Sequence, residues 1–466
     1  MSRRLLVVAL FLVILLAAGG IAYTLASPRL VGVAPPPGAT DVPAGASLRL
    51  TFSRSMLAAS VQERLDMQPG ASGQFSWEEN TLVFTPDQPW PSGAKIYLRL
   101  EPGSRAAGWP SLAINQEQSW SMTVENPLLA YLYPFEGLAS LYTIDPKTGT
   151  IQQIAETSGE VMDFSVSPNG STIFFSVRLG EGNSLIQKLN RLTGEIVTLL
   201  ECTQALCRYP QASPQGDFLA YERTDLAQYA RPAYPQVWLL PLTESTSATT
   251  PEPAPFLAGD PHHQSQQPAW SSNGLLAFYD SDMKAFVFFN PLNQETRRAP
   301  SQTGLPGDWD ASGDYFVFPE ILTSISNPNL SANLKPIPYS HLLRYYVPDG
   351  SFLDLTQLDN LEDTLPVFSP DGKKLAFARK YLNQDQWTPG RQLWLMNMDG
   401  SNARPLTREP SYNHYDFAWD PLGDQLAYAR FDQTTMTEPP ELWLVNVDST
   451  LARLLVNGGY APQWIP

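Results

Sequence analysis

The chain has 466 residues, with 43% hydrophobic and 16% charged side chains, and a formal charge of −16. That balance opposes nucleic-acid binding and adsorption to anionic lipid headgroups, because both partners are themselves negative. Two cysteines and four histidines leave little material for metal chemistry, and no cofactor motif is present.

The first 26 residues decide the cellular address. Arg3 and Arg4 precede an apolar run from Leu5 to Leu25. At about 1.5 Å per residue, that run is long enough to cross a hydrocarbon core of roughly 30 Å. A cleaved leader usually has a shorter apolar segment, so a retained signal anchor over 1–26 is expected; Thr24, Leu25 and Ala26 also fit a small-x-small cleavage site. No cysteine stands there to take a lipid. Positive residues ahead of the run place the N-terminus in the cytoplasm and the remainder, which carries −18, outside a single-pass cell membrane.

Residues 29–125 read as a small β-sandwich. Alternating segments recur at Ser47 (SLRLTF), Thr81 (TLVFTP), Lys95 (KIYLRL) and Ser119 (SWSMTV), with Pro and Gly clusters between them. Pro37, Gly38, Ala39, Val42, Phe52, Ser53, Phe84, Thr85, Pro86, Gly93 and Tyr97 resemble the bacterial Ig-like domain of exported proteins, with Trp90 and Trp120 departing from the usual pattern. The resemblance implies a spacer or binding module rather than a catalyst.

From 127 to 466 one phrase repeats. PVFSPDGKKLAF, from Pro366 to Phe377, has variants beginning at Phe164, Pro210, Pro268, Gly307 and Phe417. Ser369, Pro370, Asp371 and Gly372 suit the four places of a type I turn, so each copy predicts a hairpin. The turn glycines, Gly170, Gly216, Gly274, Gly313, Gly372 and Gly423, lie 39 to 59 residues apart, the mark of an array of supersecondary units. A second apolar run and a short last strand follow each hairpin, giving four strands per repeat. That is the blade of a β-propeller. APQWIP at the C-terminus matches an innermost strand, and the strands missing from its blade lie at 129–155, so the ring is expected to close through a composite blade. Six continuous blades and the composite give seven; the divergent repeat around Asp308 leaves six or eight open.

Pro-x-x-Ser-Pro-Asp-Gly-x-x-x-Ala-Phe followed by Leu-Trp-Leu-Met resembles the TolB-like, WD40-like propeller repeat family. The resemblance implies the all-β fold and a partner-binding surface; it does not fix an activity. Related propellers also gate serine peptidases, but the chain ends with the array, so no peptidase domain is expected.

Candidate chemistry is sparse. Asp163 and Asp416 occupy equivalent places five residues before Pro168 and Pro421, with Asp308 nearby in its own repeat. Inner strands line a propeller's channel, so these acids are candidates for a cation or sugar site; the plainer reading is that each caps a strand end and faces water. Cys202 and Cys207 are expected to form a small disulfide outside the cell. His262 and His263 are adjacent, and on an extended chain adjacent side chains point apart, which weakens them as a metal pair. Inserts at 243–255 and 321–338 are read as a solvated linker and as a cap or partner loop, and the sequons at Asn169 and Asn329 as chance.

Three function classes follow: a non-enzymatic, membrane-anchored platform for a protein or cell-envelope polymer; an enzyme acting on glycans or peptides with channel carboxylates; and a ligand sensor whose 321–338 insert orders on binding. A platform calls for an exposed apolar patch, an enzyme for converging acids, and a sensor for ligand-dependent protease protection.

Overall fold

A computed structural model describes residues 27–466 apart from 88, 181, 227–233, 243–251, 254–263, 323–338, 357, 359 and 436–437. The apolar run at 5–25, His262, His263 and most of both inserts therefore lie outside the described residues. Among the described residues no helix is long and apolar enough to cross a membrane. The chain divides into two compact units between Asn126 and Pro127.

The first unit is a sandwich. One sheet runs Leu30–Ala34, Leu48–Phe52, Thr81–Pro86, Gly73–Glu78 in spatial order, and the other Leu65–Gln68, Lys95–Leu100, Gln118–Thr123. Sequence alternation sets the inner faces: along Lys95–Leu100, Ile96, Leu98 and Leu100 are buried while Lys95, Tyr97 and Arg99 are exposed. Leu48, Phe84, Trp90, Ile96, Leu98 and Met122 share one core. Trp90, which departs from the family pattern, is 2% exposed, and its indole N–H donates to the Ala46 carbonyl at 2.9 Å. That bond satisfies the one polar atom an aliphatic residue would not bring.

In the second unit every turn glycine holds a positive φ, from 67° at Gly170 to 86° at Gly274. Each N–H bonds back to the first residue of its turn, at 2.8 Å for both Gly170 to Ser167 and Gly372 to Ser369. The side chain of that first residue accepts a further backbone N–H, as Ser369 does from Lys374 at 3.0 Å and Asp420 from Gln425 at 2.7 Å. The repeated phrase is thus a doubly fastened hairpin turn.

Six antiparallel meanders follow in chain order. Blade one is Glu160–Val166, Thr172–Leu179, Asn183–Asn190 and Ile196–Cys202; blade two is Ala205–Ala212, Phe218–Asp225, Gln236–Pro241 and Glu252–Pro253. Blade three is Ser265–Trp270, Leu276–Asp280, Ala285–Phe289 and Thr296–Pro300. Blade four is Asp308–Trp309, Tyr315–Leu322, Tyr339–Tyr346 and Ser351–Asp354. Blade five is Leu361–Phe368, Lys374–Tyr381, Gln392–Asn397 and Arg404–Pro405; blade six is Tyr412–Trp419, Gln425–Asp432, Glu441–Asn446 and Ala452–Asn457. One parallel pairing, Ser340 with Glu362, joins blades four and five into a single sheet.

The last sheet is composite. Tyr460–Ile465 pairs antiparallel with Leu128–Tyr133, matching Gln463 to Ala130 and Ile465 to Leu128, and Ser140–Ile144 and Ile151–Gln153 complete it. Apolar cores alternate with the sheets around the unit. Blade six packs Ala427, Leu442 and Leu444 against Leu129, Tyr131 and Ile144 of the composite sheet. The other face of that sheet packs Ala130, Leu132, Leu141 and Ile465 against Val161, Phe164 and Phe175 of blade one. The succession of cores returns to its starting blade, which removes the exposed edges of the end strands.

Candidate functional site

The innermost strands carry the candidate acids, and a bulge recurs in them. Register shifts fall between Arg208 and Gln211, Gln266 and Ala269, Thr364 and Val367, Tyr415 and Ala418, and Tyr460 and Gln463. The first bulged residue is left-handed each time: Tyr209 at φ 51°, Gln267 at 62°, Leu365 at 54°, Asp416 at 51° and Ala461 at 50°. Pro210, Pro268, Pro366 and Pro462 occupy the next place, where no ladder partner is lost by lacking an N–H. Each bulge also turns a backbone N–H out of its own ladder.

Carboxylates of the preceding blade receive those N–H groups. Asp163 Oδ1 accepts from Tyr209 N at 2.8 Å, Asp416 Oδ2 from Ala461 N at 3.3 Å, and Glu222 Oε1 from Gln267 N at 2.6 Å. Asp308 does the same at another level, accepting from Phe368 N, which stands three residues beyond the bulge position, at 2.8 Å. Four tryptophans add a parallel set of links: Trp270 to Gln211 O, Trp309 to Ala269 O, Trp419 to Val367 O and Trp464 to Ala418 O, from 2.9 to 3.1 Å. Each of these bonds joins one blade to its neighbour; all but that of Glu222, which stands on the second strand of blade two, run from inner strand to inner strand.

Their surroundings differ. Asp163 is 8% exposed and also accepts from Ser176 Oγ at 2.6 Å and Arg208 Nε at 2.9 Å. Burial raises its pKa, against the lowering effect of Ser176 and Arg208. Asp308, half-buried, is pushed up to about 6 by burial, with Asp310 adding a like charge. Asp416 has a water-exposed side chain, and desolvation by the surrounding protein pushes it up to about 6, against the lowering effect of the Ala461 N–H. The charge of Asp416 is felt at Tyr209, three blades on.

Sequence reasoning placed Asp163, Asp308 and Asp416 together as a trio. The geometry puts Asp163 and Asp416 at one level of the inner strands and Asp308 at another, each bonded to a different following blade. Missed were Glu222, Arg208 and Tyr209. Burial pushes Glu222 up to about 7, against the Gln267 N–H and the Arg208 charge, which both lower it. Its signal was a carboxylate inside the otherwise apolar FLAYE run of blade two.

Cys202 and Cys207 are disulfide-bonded, their Cα atoms 6.2 Å apart, and tie the last strand of blade one to the first strand of blade two. His341 and His414 are buried with both ring nitrogens bonded: His341 to Asp354 Oδ2 and Leu358 O, His414 to Arg391 O and Glu409 Oε2. Among the described residues no group of three or more His, Cys, Asp or Glu is gathered in a way suited to hold a metal ion.

Residues 26–124 match the bacterial Ig-like domain family. No curated protein sequence matches the chain. Several solved structures are similar to it. A prolyl endopeptidase shares 12% identity at a TM-score of 0.50, over 79% of this chain and 49% of that one. TolB from Acinetobacter baumannii shares 12% identity at 0.43, over 86% and 83%, and the periplasmic gluconolactonase of Pseudomonas aeruginosa 13% at 0.49, over 73% and 99%. At such identities the likeness describes the fold alone.

Proposed function

We propose that the protein is a membrane-anchored, extracytoplasmic binding platform, in which an Ig-like stalk presents a seven-bladed propeller to a protein or cell-envelope polymer. One observation carries the reading: the acids available for chemistry are each bonded to the backbone of the next blade. Asp163, Asp308, Asp416 and Glu222 hold the ring together, and a carboxylate whose lone pairs serve the fold makes a poor nucleophile or general base. Arg3, Arg4 and the apolar run after them support the anchor and its orientation. A charge of −18 on the rest of the chain fits a solvated surface outside the membrane.

Cross-linking on intact cells followed by affinity capture of the anchored chain tests this. One dominant protein or envelope polymer is the expected product. Capture of no macromolecule, together with turnover of a glycan or peptide by the purified chain, would replace the platform by an enzyme.

A further inference from the structure

Blades five and six carry the same arginine–tryptophan stack and finish it differently. In blade six the Arg430 guanidinium lies 3.9 Å from the centre of the Trp443 ring. Glu441 completes it, its Oε2 accepting from Trp443 Nε1 at 2.7 Å and from Arg430 Nε at 2.8 Å. Blade five has Arg379 4.8 Å from the Trp394 ring, and the cross-strand partner that is Glu441 in blade six is Gln392 here.

Gln392 does not play the part of Glu441. Its Nε2 donates to Glu409 O and Tyr412 O, at 2.8 and 3.2 Å, and its Oε1 accepts from Glu409 N at 2.7 Å. Among the described residues nothing accepts from the Trp394 indole N–H. A cavity of about 290 Å³ lies against it, walled by Arg379, Tyr381, Trp394, Pro405, Arg408 and Pro410. Tyr381 meets Trp394 edge-on, ring centres 6.1 Å apart. That volume stands at the small end of ligand pockets, which run from about 300 to 1,000 Å³ and are mainly apolar with a few polar groups.

The two guanidiniums in the wall have different standing. Arg379 is bound on both prongs to Asp363, at 2.7 Å each. Arg408, among the described residues, has no bonded carboxylate or carbonyl, in a chain with 46 acidic and 30 basic side chains. Against so acidic a background an unneutralised arginine beside an apolar cavity is a receptor for an anion, and its planar fork matches a carboxylate. The aromatic wall selects what carries the charge. A sugar needs partners for several hydroxyls, and the polar side chains of the wall, like Gln392, are engaged: Thr407 accepts from Leu393 N at 3.0 Å and donates to Gln392 Oε1 at 3.3 Å, Thr388 donates to Gly390 O at 2.7 Å, and Gln386 Oε1 accepts from Asn383 Nδ2 at 2.9 Å.

We propose that this cavity is a binding site for a carboxylate borne on one aromatic or apolar ring, Arg408 meeting the carboxylate and the Trp394–Tyr381 wall the ring. Its lining includes none of Asp163, Asp308, Asp416 and Glu222, and it stands whether or not the platform reading does.

Calorimetric titration of the full chain in detergent tests it, with benzoate, phenylacetate and N-acetyl-L-phenylalanine as probes. N-acetyl-L-phenylalaninamide removes the charge, glucuronate replaces the ring by a sugar, and Arg408→Gln removes the receptor on an exposed side chain. At least one ring carboxylate should bind once per chain. The amide, or Arg408→Gln, should each weaken binding roughly tenfold or more, and the two together no further, since guanidinium and carboxylate act as one unit. Silence from all three carboxylates, equal binding of acid and amide, or tighter binding of glucuronate would each overturn the assignment.

Discussion

Arg379 and Asp363 form a fully buried, two-pronged ion pair inside blade five, Nε to Oδ1 and Nη2 to Oδ2 both at 2.7 Å, with side chains 3% and 0% exposed. Thr356 Oγ1 adds a bond to Asp363 Oδ2 at 2.8 Å, reaching across from blade four. Burial raises the Asp363 pKa while Arg379 opposes it. Removing either partner strands the other charge away from water. Asp363→Asn or Arg379→Met alone should cost about 3–5 kcal/mol, and Asp363→Leu with Arg379→Met should recover most of it. Urea unfolding of the three variants measures this; independent, additive losses would show that the charges do not act as a pair.

Glu222 gives the propeller a pH-dependent stability. Folded, it keeps its proton up to about 7; unfolded, it releases it in the ordinary carboxylate range near 4.3. Between those values the folded state binds more protons, so its contribution is complete below about pH 4 and is lost as pH rises towards 7. Glu409, held down at about 2 by its bonds to His414 and Arg430, acts in a lower window, where stability is lost as pH falls. Melting temperature followed from pH 5 to about 7 should therefore fall, Asp308 and Asp416 adding to the slope with the same sign, and Glu222→Gln should make it shallower. An unchanged slope in that variant would remove Glu222 as its source.

The Cys202–Cys207 bridge closes a loop of few residues, so its effect on the unfolded chain is modest. Replacing both cysteines by serine should cost about 2 kcal/mol by the loop-entropy estimate. Denaturant titrations with and without reductant check it, since reduction of the parent chain should reproduce the loss and leave the variant untouched.

Ring closure rests on Tyr460–Ile465, which covers the edge of Leu128–Tyr133 and sends Trp464 Nε1 to the Ala418 carbonyl at 3.0 Å. A chain lacking residues 460–466 should expose that edge and associate. Size-exclusion chromatography should show oligomers or aggregate in place of the parent peak. A well-behaved species with the parent melting temperature would contradict closure by this strand.

What the sequence made legible was local. The Ser-Pro-Asp-Gly turns, their spacing and the split blade are written in contiguous residues, and the turn chemistry at Ser369 and Gly372 follows from side chains a few positions apart. The acid at Asp163 was legible as a position and not as a role, because its partner is the Tyr209 N–H, 46 residues on and in another blade. That N–H is free only because a bulge turns it outward, a backbone event with no signature beyond the proline at 210. Blade four reads poorly for a related reason: its inner strand is the two residues Asp308–Trp309, too short for any alternating pattern. The pocket beside Trp394 has no signature in its own repeat, because it depends on Gln392, in the register place of Glu441, bonding instead to Glu409 and Tyr412.

The most direct measurement pairs stability with capture in one variant, Asp163→Ala with Asp308→Ala and Asp416→Ala, which removes the oxygens that accept from the next blade. If these carboxylates are clasps between blades, the variant melts at a lower temperature than the parent and still captures the same macromolecule from intact cells. An unchanged melting temperature together with loss of a bound glycan, cation or turnover would contradict the platform and make the inner strands a ligand site.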